Sequence, residues 1–205
     1  MCGVINHLIG YTTVEVIFLC IAHISRQGIQ QWQALIDCGI SSLPVPLKPI
    51  AQYAGAAVVD NAEINALNDS QLGCLAVSDG KAFIVIDRSV SMHRQRYTIA
   101  HEIGHILCGH VLQEVMLSRR NAIIYTQQEY QAERFAIDLL APACVLWGLN
   151  LHTPAEISKA CSISMQSATI RANRMEELYR RGRFLASPLE QQVYKQFKSF
   201  IEFKR

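Results

Sequence analysis

The chain has no CxxC pair, no unbroken run of the roughly 20 apolar residues that cross a bilayer, and no strong excess of either charge. Its seven cysteines are scattered at Cys2, Cys20, Cys38, Cys74, Cys108, Cys144 and Cys161. An odd number without pairing argues against a disulfide framework and against cysteine-ligated zinc. It predicts free, mostly buried thiols in a reducing cytoplasm. The most apolar stretch, Val14 to Ile24, is broken by Glu15 and His23 and is too short to span. No Lys or Arg precedes it, so it does not read as a signal peptide. Residues 1–28 therefore read as a non-essential apolar extension of uncertain order, with no membrane role; a strand or helix covering the core and a membrane anchor are the alternatives. A net charge of +2 over 205 residues selects no class of partner. Its distribution says slightly more. From Arg171 onward nine Lys/Arg face four Asp/Glu, a net +5, which leaves −3 for the rest. A hydrophobic content of 50% suffices for the core of one domain with an appendage.

Along the chain, Trp32, Leu35 and Ile36 at helical spacing predict a helix over Gln30 to Cys38, ended by Gly39. Pro44, Pro46 and Pro49 mark a turn and the start of a second helix, up to about Tyr53. Ala56 to Asp60 reads as a short strand. Leu72 to Val77 and Ala82 to Asp87 flank Ser78-Asp79-Gly80-Lys81, and Asp-Gly between two β-prone runs predicts a hairpin. A helix follows over Arg94 to Cys108.

That helix carries His101-Glu102-Ile103-Gly104-His105, an HExxH motif. Histidines four apart project from one helix face, where one Zn2+ can take both. Glu102 lies between them and can act as general base without being a ligand. HExxH also arises by chance, and two satisfied polar histidines are the plain alternative. Three features oppose it. Ile99, Ala100, Ile103, Ile106 and Leu107 make the surroundings apolar, so unpartnered histidines would be costly. Gly104 is a poor helix former, so its presence predicts a close-packed neighbour. A third ligand is also available downstream.

That ligand lies in a second helix, where Ala132, Phe135, Ala136, Leu139 and Leu140 keep helical spacing and Pro142 ends the element. A catalytic zinc takes three protein ligands and keeps one open position. Glu129 fits as the third ligand. Glu133, one turn on, fits as a carboxylate that orients a zinc histidine through its other ring nitrogen. Two solvated glutamates are the commoner fate of such a pair without an HExxH. His110 is a rival. The HExxHxxGxxH pattern requires Gly and His where the chain has Cys108 and Val111, so Gly109 and His110 are each one residue out of register. His110 reads as a residue at the helix C-terminus, near the cleft. His110, Tyr125, Tyr130 and Arg96 are all candidates to stabilise the oxyanion, and nothing in the sequence chooses among them.

Arg96-Tyr97-Thr98-Ile99-Ala100-His101-Glu102-Ile103-Gly104-His105, followed by Glu129-x-x-Ala132-x-x-Phe135-Ala136-x-x-Leu139-Leu140-x-Pro142, resembles the ImmA/IrrE family of zinc metallopeptidases. Weaker likenesses extend it to about residues 29–180. The resemblance implies a gluzincin-like site: His101, His105 and Glu129 as ligands, Glu102 as base. It implies a cytoplasmic regulatory protease that cleaves a DNA-binding repressor of a mobile element, prophage or stress response. Two departures stand out. Glu133 stands where the family commonly has Asn or Asp, and no typical helix-turn-helix domain precedes the peptidase. The expected fold is α+β: a small zincin-like metallopeptidase domain over 29–180, mostly helical, with a short β-sheet before the HExxH helix and helices after it. An edge strand beside the metal would pair with an extended substrate, and Phe83 to Ile86 is the candidate.

Leu117 to Gln127, with Arg119 and Arg120, and Pro142 to Leu151, with Trp147 packing inward, read as connectors. Residues 154–178 read as a helix, short turn and helix that close the core. The competing reading is a DNA-binding helix-turn-helix, with Arg171, Arg174, Arg180, Arg181 and Arg183 on phosphates and Ser162 where the turn usually has glycine. A further alternative is a regulator that binds metal without hydrolysis. Residues 181–205 read as a C-terminal amphipathic helix with Val193, Phe197, Phe200 and Ile201 on one stripe.

Overall fold

The computed structural model describes residues 30–68, 71–78, 81–110 and 122–205. Its elements run α1 (Gln30–Asp37), α2 (Leu47–Tyr53), β1 (Ala56–Asp60), α3 (Asn61–Ile64), β2 (Gly73–Ser78), β3 (Lys81–Ile86), α4 (Met92–Leu107), α5 (Ala122–Leu140), α6 (Ala143–Gly148), α7 (Pro154–Cys161), α8 (Met165–Arg181) and α9 (Pro188–Lys204). The fold is α+β and mostly helical, as expected. The extension expected over 1–28, the Asp79-Gly80 turn, and Arg119 and Arg120 lie outside the described residues.

β1, β3 and β2 form a sheet in that order, with β1 parallel and β2 antiparallel to β3. Ser78 pairs with Lys81, the register that a two-residue Asp-Gly loop imposes. The edge expected at Phe83 to Ile86 is a correction. β3 is the central strand, hydrogen-bonded on both sides, and Ile84, Val85 and Ile86 are buried. An apolar run with no polar alternation belongs inside a sheet rather than at its rim.

Edge duty on the side of α4 falls to β2. Gly73 opens that strand, and a Cβ there would collide with Thr98 Cγ2 of α4. The missing side chain lets the strand lie against the helix one turn before Glu102.

α4 packs most extensively against α5. Ala100, Ile103, Ile106 and Leu107 from α4 meet Phe135, Ala136, Leu139 and Leu140 from α5 in one buried cluster. Fully burying such a side chain is worth about 1.5–3 kcal/mol. Gly104 behaves as its position predicts. A Cβ there would stand 3.1 Å from Phe135 Cδ1 and 3.2 Å from the Ala132 Cα and O, so the glycine sets how near the two helices come. α4 starts with the Ser91 hydroxyl accepting from the Arg94 N–H and ends before Gly109 at φ 75.

Two connectors carry more helix than expected. No Gly or Pro lies between Asn121 and Pro142, so α5 begins at Ala122. Pro142 precedes α6, and Trp147 on α6 stacks on Phe184 at 5.5 Å between ring centres. α9 packs on α1 and α6 through Val193, Phe197 and Ile201, all buried, and Gln196 donates to the Leu35 and Ile40 carbonyls. The five described cysteines are free, with Cys144 and Cys161 buried. No helix among the described residues is long and apolar enough to cross a membrane.

Candidate metal centre

The α4–α5 seam brings three side chains to one point. His101 Nε2 lies 3.0 Å from His105 Nε2. Glu129 reaches across from α5 with Oε2 at 3.2 Å from His101 Nε2 and Oε1 at 3.4 Å from His105 Nε2. All three donor atoms fall within 4.8 Å of one another, close enough to hold one ion. Two imidazoles with the same nitrogen turned inward, and a carboxylate spanning both, is a donor set that suits a divalent cation such as zinc.

The electrostatics agree. Burial is the main cause that lowers both histidines. It takes His105 to about 3, helped by the neighbouring His101 and His110. His101 also falls, opposed by the charge of Glu133 and assisted by that of His110. Both rings are therefore neutral near pH 7 with lone pairs to offer. Glu102, next in sequence to His101, is partly buried on α4. Its charge also helps to raise the Cys74 thiol, after burial, which places β2 beside it.

The remaining candidates separate. Glu133 is exposed and acts on His101 only through its charge, while His101 Nδ1 is buried without a hydrogen-bond partner among the described residues. The orienting bond expected of Glu133 is therefore not formed. The ring of Tyr97, one turn before His101, stacks on it at 6.1 Å. Tyr97 was absent from the sequence candidates, although its i, i+4 spacing pointed to it. Its phenol is pushed up to about 12, chiefly by burial and then by Glu133.

Arg96 is not at the site. It donates to the carbonyls of Val45 (3.0 Å), Ser162 (3.2 Å) and Cys161 (3.5 Å), tying α4 to two loops. An arginine with three carbonyl partners is a structural clamp. Tyr130 is exposed. The side chain of Tyr125 lies outside those described. His110 is not a rival ligand. It is buried, with Nδ1 at 3.1 Å from His105 Nδ1, on the far side of that ring from the donor cluster.

A family model described as the IrrE N-terminal-like domain, a peptidase family, matches residues 58–173, over half of the chain. The chain belongs to the ImmA/IrrE metallopeptidase family. The matched stretch begins within β1 and includes all of α4 and α5, hence the whole donor cluster, and runs through α7 into α8. The match thus takes in the first helix of the helix-turn-helix-like pair and part of the second. No curated protein matches the chain.

That pair also fails one requirement of the DNA-binding reading. Arg171 is 1% exposed, and its Nη1 lies 2.6 Å from Asp138 Oδ1 on α5. It cannot reach a phosphate. Arg181 is engaged by Glu177 one turn earlier on α8. Ser162 adopts φ 53 at the turn, the left-handed position usually given to glycine.

Proposed function

We propose that the protein is a zinc-dependent endopeptidase of the cytoplasm that cleaves a DNA-binding repressor. The observation that supports it best is the convergence of His101, His105 and Glu129 with a carboxylate, Glu102, next in sequence to the first ligand. A structural zinc site has four protein ligands and no use for a spare carboxylate. Here three side chains converge, which leaves a position for water and substrate.

His101, His105 and Glu129 would hold the metal. When bound, it supplies a Lewis acid for the scissile carbonyl and lowers the pKa of water to about 7. Glu102 accepts a proton from the attacking water and returns it to the leaving amine. The outer edge of β2 offers backbone N–H and C=O groups to an extended substrate, which would lie as an added strand beside Glu102. The repressor as substrate and the cytoplasmic setting rest on the family resemblance.

The test is Glu102→Gln in the zinc-loaded protein, against a library of proteome-derived peptides read by mass spectrometry. The variant is expected to keep its zinc and lose cleavage by about 100-fold or more, the scale of a lost general base. Equal cleavage by the variant would remove Glu102 from the chemistry.

A further inference from the structure

His105 uses both of its ring nitrogens. Nε2 faces His101 and Glu129, while Nδ1 lies 3.1 Å from His110 Nδ1. His110 Nε2 in turn lies 2.9 Å from Gln131 Oε1 on α5. An amide oxygen can only accept, so the proton of His110 sits on Nε2 and is donated to Gln131. With His110 neutral, its Nδ1 carries a lone pair, and His105 Nδ1–H is the donor. The proton of His105 is thereby fixed on Nδ1, and its Nε2 is left bare toward the metal position. Starting from the metal gives the same answer. A ligating Nε2 requires a proton on Nδ1, which requires an acceptor at His110. The reversed tautomer of His110, with its proton on Nδ1, would force the proton of His105 onto Nε2 and block the site.

We infer that His110 and Gln131 are positioning residues, a proton-fixed relay that holds His105 in its metal-binding tautomer and ring orientation. Rings that bind metal usually find a carboxylate or carbonyl for this purpose; here a second imidazole backed by an amide takes the place. Gly109 at φ 75 turns the chain at the end of α4, just ahead of His110. The relay serves one ligand only. His101 has Tyr97 stacked on its ring and no hydrogen-bond partner for its buried Nδ1 among the described residues.

The inference rests on the metal-site reading, and one experiment separates the two. Zinc affinity is measured by competition with a chromophoric chelator for wild type, His110→Leu, His110→Asn and Gln131→Leu. Long-range 15N spectra of the histidines report the tautomers. The wild type is expected to bind zinc with His105 protonated on Nδ1. His110→Leu weakens zinc by about 10–100-fold, the usual scale for losing such a partner. His110→Asn, of similar size and with an oxygen that accepts in place of Nδ1, retains most of the affinity. Gln131→Leu, at an exposed position that spares the fold, weakens zinc measurably and releases the His110 tautomer. Leu and Asn variants of equal affinity, or His105 protonated on Nε2, would overturn the relay and leave the metal site standing. A wild type that takes up no zinc would overturn both.

Discussion

Helix α5 carries charged side chains to two seams, and the outcomes differ. At the seam with α4, Glu129 meets His101 and His105. Three electron-pair donors face one another, and burial keeps the two rings uncharged. The three donor atoms are close enough together to hold one cation. At the seam with α8, Asp138 meets Arg171, and charge is matched by charge inside the protein. Both seams place polar groups beside apolar neighbours. The difference lies in what meets: at the second seam a carboxylate meets a guanidinium, although Arg171 Nε and Nη2 are buried without a hydrogen-bond partner among the described residues, whereas at the first three electron-pair donors converge on one point.

The contrast can be broken from the α8 side first. Asp138→Ala leaves the guanidinium of Arg171 buried without its counter-ion. Removing one partner of a buried pair costs about 3–5 kcal/mol, read by urea unfolding. Replacing both residues with apolar ones should cost much less. A loss under about 1 kcal/mol for Asp138→Ala would fit an exposed pair and return Arg171 to the list of DNA contacts.

A smaller effect is expected at Gly104. Alanine there must push against the Ala132 backbone, an overpacking cost of about 1–3 kcal/mol. Better helix propensity returns at most about 1 kcal/mol. The net is a modest destabilisation, accompanied by weaker zinc binding because Glu129 rides on the displaced helix. A Gly104→Ala variant more stable than wild type would show that the glycine does not set the approach of the two helices.

Much of the α4–α5 seam was legible in the sequence. The i, i+4 histidines, Glu129 ahead of the α5 stripe and the misplaced-looking Gly104 each express a local rule: helical periodicity, metal-ligand chemistry and steric contact. The strand order was not legible. Periodicity found β1, β2 and β3, but which strand takes the middle depends on parallel pairing of β1 with β3, a long-range contact that no residue pattern announces. The partners of Arg96 and Arg171 were not legible for a related reason. An arginine in a helix looks solvated until its carbonyl or carboxylate partners, 33 to 66 residues away, are known. His110 stands in the sequence at the end of the HExxH helix and near the cleft, out of register for a ligand, but its contact with His105 does not show there. Its partner Gln131 looked like an ordinary polar residue on a helix, and only the fold shows the two meeting.

The most direct test of the metal centre is elemental analysis of the purified wild type beside Glu129→Ala, with both shown by circular dichroism to be folded. The account predicts about one zinc per wild-type chain, as a single three-ligand site requires, and its loss or marked weakening in the variant. A wild type that holds no zinc and takes none up when it is added, or a Glu129→Ala protein that holds as much as the wild type, would contradict it.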